Sequence, residues 1–164
     1  MPEAVGRDLL NAPWLGLIIG NTRLHWGLFC NQTLLSTWHT PHLTPAIAEP
    51  LMRQQFHPAA WPSLSSPTVD TGMPFVVWEQ VMAEQRSLPL YCASVVPQQT
   101  FVWQEYDQFR GVELSDVPLG NLYSTLGIDR ALNLVGAGDR YGWPSLVIDA
   151  GTALTFTAGT KAQL

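Results

Sequence analysis

The amino-acid sequence predicts an α/β fold. Short apolar strands alternate with helical stretches along the chain, and a strand–turn–strand pattern near the start occurs again near the end. The length of 164 residues suffices for about one domain, and an apolar fraction of 46% allows a packed core, which excludes a disordered chain. The net charge of −5, from 13 acidic and 8 basic residues, argues against a nucleic-acid partner, because such binding needs a clustered basic surface.

The first part of the chain predicts three strands followed by a helix. The first strand is a nearly continuous apolar run that ends at the turn 20–22, and the next two alternate polar and apolar side chains. Thr44 is expected to cap a helix that extends to about Phe56, with Pro45 in its first turn, where a missing N–H costs nothing. The three expected strands are residues 14–19, 23–29 and 33–38.

The remainder of the chain predicts alternating helices and strands after a loop. Prolines and serines in residues 57–72 predict that loop, and Pro97 is expected to end a buried strand. The expected helices are residues 74–86, 98–109 and 127–141, and the expected strands are residues 90–96, 111–115, 146–148 and 153–158.

The internal repeat is the observation that points to a function. Residues 17–22 and 147–152 both read as an apolar strand, a glycine-containing turn and a threonine. Glycine lets the backbone approach an anion closely, while turn N–H groups and a threonine hydroxyl can donate to phosphate oxygens. One such turn is typical of an ordinary hairpin, but two that face each other would hold the phosphates of a nucleotide.

Two aspartates each allow a structural and a functional interpretation. Asp149 follows a buried strand, where it can bond to nearby turn N–H groups or bind a hard cation through its oxygens. Asp129 lies at a predicted helix start, where an acid is favoured by the helix dipole. Asp129 could equally act as a general base on a substrate hydroxyl, with the neighbouring Arg130 holding an anionic group, a pairing that suits phosphoryl transfer.

Several classes of site are not supported by the sequence. Cys30 and Cys92 are expected to be buried thiols in a reducing compartment, since neither occurs in a Cys-x-x-Cys motif. The histidines form no evident metal set, because Pro41 prevents His39 and His42 from sharing a helical face. With no signal-peptide pattern and no apolar run of about 20 residues, the protein is expected to be cytoplasmic, without a membrane partner.

Four short blocks of sequence, taken in their order along the chain, resemble type III pantothenate kinases. Their residues are most similar to those of cyanobacterial members. The blocks extend over nearly the whole chain, and their order and spacing together are specific to the family. They are Gly20-Asn21-Thr22, Ala93-Ser94-Val95-Val96-Pro97, Leu126-Gly127-Ile128-Asp129-Arg130 with Asn133, and Asp149-Ala150-Gly151-Thr152-Ala153-Leu154-Thr155.

The resemblance implies a fold and a reaction. The fold is a ribonuclease H-like domain of the actin/hexokinase/Hsc70 type at residues 12–144, followed at residues 145–164 by the opening hairpin of a second such domain. The second domain would be incomplete. The reaction is ATP-dependent phosphorylation of pantothenate to 4'-phosphopantothenate, the first step of coenzyme A biosynthesis. It uses Mg2+ and a monovalent cation, K+ or NH4+, and the enzyme is usually a homodimer.

The resemblance also implies which residues form the site. Asp129 would be the catalytic base, and Asp149 would hold the monovalent cation. Pantothenate would be bound by Gly127, Ile128, Asp129, Arg130 and Tyr123. ATP would be bound by Ile18, Ile19, Gly20, Asn21, Thr22, Arg23, Leu24, His25 and Thr152.

Two departures from the family pattern leave an alternative open. Ile18 stands where the family usually has the first aspartate of Asp-x-Gly-Asn-Thr, and isoleucine cannot bind Mg2+. Family members are also longer, so the chain is expected to be truncated and weakly active or inactive by itself. The alternative is a non-catalytic, degraded kinase lobe that acts as a binding or regulatory module, and a kinase for another small hydroxylated substrate is a third possibility.

Overall fold

The computed structural model describes residues 13–61, 88–151 and 153–160. The strands are β1 (Pro13–Ile19), β2 (Leu24–Cys30), β3 (Thr33–Thr40), β4 (Leu90–Ser94), β5 (Phe109–Gly111), β6 (Ser145–Ala150) and β7 (Leu154–Gly159). The α-helices are α1 (Pro45–Arg53), α2 (Pro97–Gln104) and α3 (Ile128–Tyr141), and short 3-10 helices lie at Pro58–Ala60 and Leu114–Asp116.

Five of these strands form one mixed sheet in the order β3-β2-β1-β4-β5. The first three strands pair antiparallel, because short turns join them. The strand β4 instead pairs parallel with β1, and β5 pairs parallel with β4. The two remaining strands, β6 and β7, form a separate antiparallel hairpin. The α/β class expected from the sequence is therefore confirmed.

One face of the five-stranded sheet carries the main core. Alternate residues of β1 point into it, and helices α1 and α2 cover it. A cluster of aromatic rings fills the space between sheet and helices, with Trp26 and Trp103 in edge-to-face contact at 5.1 Å between ring centroids. Cys30 and Cys92 are buried in the same core, and desolvation raises the pKa of Cys92 to about 12. Both thiols are thus packing groups rather than reactive ones.

Helix α3 covers part of the opposite face. Its residues Ile128 and Ala131 pack with Ala93 of β4, and Ile18 of β1 lies against this cluster. The β6–β7 hairpin then packs against the far end of α3, where an added Cβ at Gly159 would lie 2.8 Å from the Leu134 side chain. The second face of the sheet therefore carries the helix start that the sequence singled out, Gly127 to Arg130.

Several predicted elements differ from the structure at their ends. The helix expected to reach Phe56 ends at Arg53, because Gln55 and Phe56 adopt positive φ angles of 53° and 59°. The strand expected at 90–96 ends at Ser94, whose hydroxyl accepts a hydrogen bond from the Val96 N–H at 3.0 Å and turns the chain into α2.

Two further predictions are wrong in position. The helix expected at 98–109 spans Pro97–Gln104, and the strand expected at 111–115 lies at Phe109–Gly111, followed by a 3-10 helix. The predictions of strands β1, β2 and β3 and of helix α3 are confirmed within two residues at each end. The expected helix at 74–86 and residues 62–72 of the expected loop lie outside the described residues. Among the residues described, no helix is long and apolar enough to cross a membrane.

Candidate functional site

The turn at residues 20–22 joins β1 to β2 and presents its backbone to solvent. The Gly20 N–H donates to the Arg23 carbonyl at 3.0 Å, which closes the turn. A Cβ at Gly20 would lie 3.3 Å from that carbonyl oxygen, so the turn is closely fitted to glycine. Asn21, Thr22 and Arg23 are all exposed, and their polar groups are available to a ligand.

A histidine that the sequence did not single out fixes the backbone of this turn through a hydrogen bond. The Nε2 atom of His42 lies 2.8 Å from the Gly20 carbonyl oxygen and donates a hydrogen bond to it. His42 follows β3, so its position depends on the sheet rather than on any local pattern around the turn. No sequence signal near residue 42 would have revealed this contact.

The residues flanking the turn differ in what they can offer to a nucleotide. Ile19 and Leu24 are fully buried in the main core, so only their backbone atoms could take part. Ile18 packs on the opposite face against the α3 cluster, and its side chain has no oxygen to offer a cation. His25 is exposed beside the turn, with its Nε2 atom 3.6 Å from the position of an added Gly20 Cβ.

The second glycine turn follows β6. Asp149 is half-buried at the end of that strand, and the Gly151 N–H donates to the Ala153 carbonyl at 3.2 Å. Thr152 lies outside the described residues. Burial lowers the pKa of His25. The positive charges of His39 and Arg23 lower this pKa further, and the Asp149 carboxylate raises it. The Asp149 carboxylate is therefore close enough to His25 to act on it electrostatically.

The start of α3 presents an aspartate beside a glycine. Gly127 occupies the N-cap position without a side-chain cap, and the Asp129 Oδ1 atom accepts from the Arg130 N–H at 2.9 Å. An added Cβ at Gly127 would lie only 2.5 Å from Asp129 Oδ1 and 3.6 Å from the Val95 side chain. Any residue larger than glycine would thus displace the carboxylate.

A cavity of about 570 Å³ opens beside this helix start. It lies between the end of β4, helix α2 and Gly127, and its polar lining includes Ser94, Thr100, Glu113 and Ser124. Hydroxyl groups with a carboxylate suit a small polar ligand. Tyr123 is mostly exposed on the loop before α3 and does not line this cavity, although its neighbour Ser124 does.

A second, mostly apolar cavity of about 750 Å³ lies on the part of the sheet that α3 leaves open. Trp14 and Phe29 stack at its side with centroids 4.0 Å apart, and Gly16 and Gly27 lie opposite each other in its floor. His25 and His39 form its polar end. No pattern in the sequence predicts this cavity.

Comparison with known proteins gives the same family as the sequence blocks. A family model described as type III pantothenate kinase matches residues 14–163. The type III pantothenate kinase of a Nostoc strain is 46% identical over 145 residues, which cover 88% of this chain and 50% of that protein. The corresponding Synechocystis protein is 39% identical over 145 residues, covering 88% of this chain and 44% of the relative. The chain thus spans about half the length of the curated relatives it matches.

Proposed function

Because the chain belongs to the type III pantothenate kinase family, we propose that it supplies the phosphate turn and the catalytic base for the ATP-dependent phosphorylation of pantothenate. This reaction would be the first step of coenzyme A biosynthesis, in the cytoplasm. The observation that carries the proposal is the position of Asp129 in the first turn of α3, two residues after Gly127, which lines a cavity of about 570 Å³.

In the proposed mechanism, Asp129 acts on the primary hydroxyl of pantothenate. Its Oδ1 atom is engaged with the Arg130 N–H, so we assign proton acceptance to Oδ2. The hydroxyl oxygen attacks the γ-phosphorus of ATP, its proton passes to the carboxylate, and ADP leaves. The Arg130 side chain would hold the pantothenate carboxylate. The dominant contribution of the protein would be positioning and charge stabilisation, as is general for phosphoryl transfer.

The phosphates would lie between the two glycine turns. The N–H groups of the exposed residues Asn21 and Thr22 would contact them from one side, where Gly20 lets a phosphate approach the backbone, and Thr152 would do so from the other. Tyr123 would lie near the substrate at the edge of the loop before α3. Fixing the Gly20 carbonyl through His42, at 2.8 Å, supports this assignment because a rigid turn loses less entropy on binding.

A cation fits the second turn better than the first. Asp149 offers a half-buried carboxylate, the donor that hard cations prefer, whereas Ile18 offers none. Asp149 would hold K+ or NH4+, and Mg2+ would be held by the phosphates of ATP. Such cations would neutralise the charge of the transferred group.

The strand order supports a ribonuclease H-like interpretation of the first domain. In the order β3-β2-β1-β4-β5, an antiparallel meander is followed by two parallel strands. We therefore assign residues 12–144 to that domain and residues 145–164 to the start of a second one. The enzyme would act as a homodimer.

Calorimetric titration with pantothenate tests the proposal. We expect the chain to bind pantothenate, and Asp129→Ala to weaken binding by about tenfold or more through loss of a charged hydrogen-bond acceptor. Asp139→Ala is the matched control, because Asp139 is an exposed aspartate in the same helix, and it should leave the affinity unchanged.

Two results would contradict the kinase site. One is a chain that binds no pantothenate under conditions in which the full-length Nostoc relative does. The other is an equal loss of affinity in the Asp129 and Asp139 variants. Neither the structure nor the comparisons favour the non-catalytic alternative, and retained binding that depends on Asp129 would argue against it directly. A titration panel of other small hydroxylated compounds tests the choice of substrate.

A further inference from the structure

Two histidines meet on the open face of the sheet. His25 of β2 and His39 of β3 are directly opposite each other in the strand pairing. Their rings are in edge-to-face contact, with centroids 4.7 Å apart and an interplanar angle of 76°. Both side chains are exposed at the polar end of the 750 Å³ cavity. A pair of adjacent imidazoles on rigid strands is a donor set for a transition metal.

The spacing of the two rings fits chelation of one ion. An imidazole nitrogen bonded to a metal at about 2.1 Å has its ring centroid about 3.2 Å from that metal. When the two metal–nitrogen bonds meet at an angle between a right angle and the tetrahedral angle, the ring centroids are about 4.5–5.2 Å apart. The observed 4.7 Å lies within this interval, so the separation of the two rings matches that of two imidazoles on one ion, and rotation of the rings out of edge-to-face contact would direct their nitrogens at it.

The surroundings of the pair also suit a cation. The Asp149 carboxylate is near His25, as its effect on the His25 pKa indicates, and it supplies a negative charge. Arg23 is a positive side chain that also acts on His25, and it is exposed to solvent, where its charge is screened.

We propose that His25 and His39 form a two-histidine site for a divalent transition-metal ion such as Zn2+ or Ni2+. In the part of the chain that the structure describes, no group of three or more His, Cys, Asp or Glu side chains could hold a metal ion. The site therefore has two protein ligands and leaves its other coordination positions to water. Its existence does not depend on the proposed kinase reaction.

Titration of the untagged chain with ZnCl2 or NiCl2 tests the site. We expect one ion to bind per chain, with Mg2+ giving no signal at the same concentration because imidazole is a poor ligand for hard cations. His25→Gln and His39→Gln should each weaken the affinity by about tenfold or more, since a single histidine is left in each. The control is His57→Gln, because His57 is exposed and accepts a local hydrogen bond from the Ala59 N–H.

Nuclear magnetic resonance of the histidine side chains gives an independent measurement that does not depend on the variants. The imidazole signals of His25 and His39 should shift together on addition of Zn2+, and those of His57 should not. Zinc affinity that survives in both the His25 and His39 variants would overturn the proposal. So would side-chain shifts confined to other histidines, or the absence of any binding.

Discussion

The two glycine-turn hairpins have the same sequence pattern but very different environments. The β1–β2 hairpin lies inside a five-stranded sheet, and its residue Leu17 is 1% exposed. The β6–β7 hairpin forms a two-stranded sheet, and Leu154 is 62% exposed. Local sequence is thus sufficient to define a strand–turn–strand unit in both places. Burial depends on the partners that each hairpin finds, and these are distant in the chain.

Deletion of a leucine side chain from each hairpin should give the largest difference between them. Leu17→Ala leaves a cavity in the main core and should lower the free energy of unfolding by about 3 kcal/mol. The matched variant Leu154→Ala removes a mostly exposed side chain and should change it by about 0.5 kcal/mol or less. Urea unfolding followed by tryptophan fluorescence measures both. Equal losses would mean that the outer face of β6–β7 is covered in solution.

The turns themselves should differ less, but in the same direction. Gly20→Ala forces a Cβ to within 3.3 Å of the Arg23 carbonyl, so the backbone must shift, at a cost of about 1 kcal/mol. Among the described residues, a Cβ at Gly151 would approach only Asp149 Oδ1, at 3.9 Å, so Gly151→Ala should cost about 0.5 kcal/mol or less. The same unfolding assay compares them. A larger loss at Gly151 would show that the second turn is the more tightly packed.

Most of the fold could be predicted because its strands and its last helix carry clear periodicity. The apolar run of β1 and the helical spacing in α3 depend on residues that are neighbours in sequence, so they are visible without tertiary contacts. The ends of α1 and α2 were misjudged for the opposite reason. The end of α1 depends on positive φ angles at Gln55 and Phe56, and Phe56 is fixed by its place among the core aromatics.

The candidate site was predictable only in part. The glycine turn and the aspartates are encoded in short motifs, but the role of His42 arises from a contact 22 residues away from Gly20. The pairing of His25 with His39 depends on an irregularity in the β2–β3 register between Leu28 and Phe29. A regular hairpin continuing the Cys30–Thr33 pairing would have placed Trp38 opposite His25. A one-residue bulge of this kind has no reliable sequence signal.

The smallest expected effect tests whether the ends of the two hairpins meet. Asp149 raises the pKa of His25 against the lowering by burial, so Asp149→Asn should lower the His25 pKa further. Asp139→Asn, at the exposed end of α3, should leave it unchanged.

Because the His25 pKa is lower in the folded than in the unfolded chain, the unfolded chain binds the proton more readily. Stability should thus decrease as the pH falls through about 6.5 towards the folded value, and more so in Asp149→Asn. Titration of the His25 imidazole by nuclear magnetic resonance measures the shift. An unchanged His25 pKa in Asp149→Asn would show that the two turns are not adjacent, and the proposed phosphate site requires that they are.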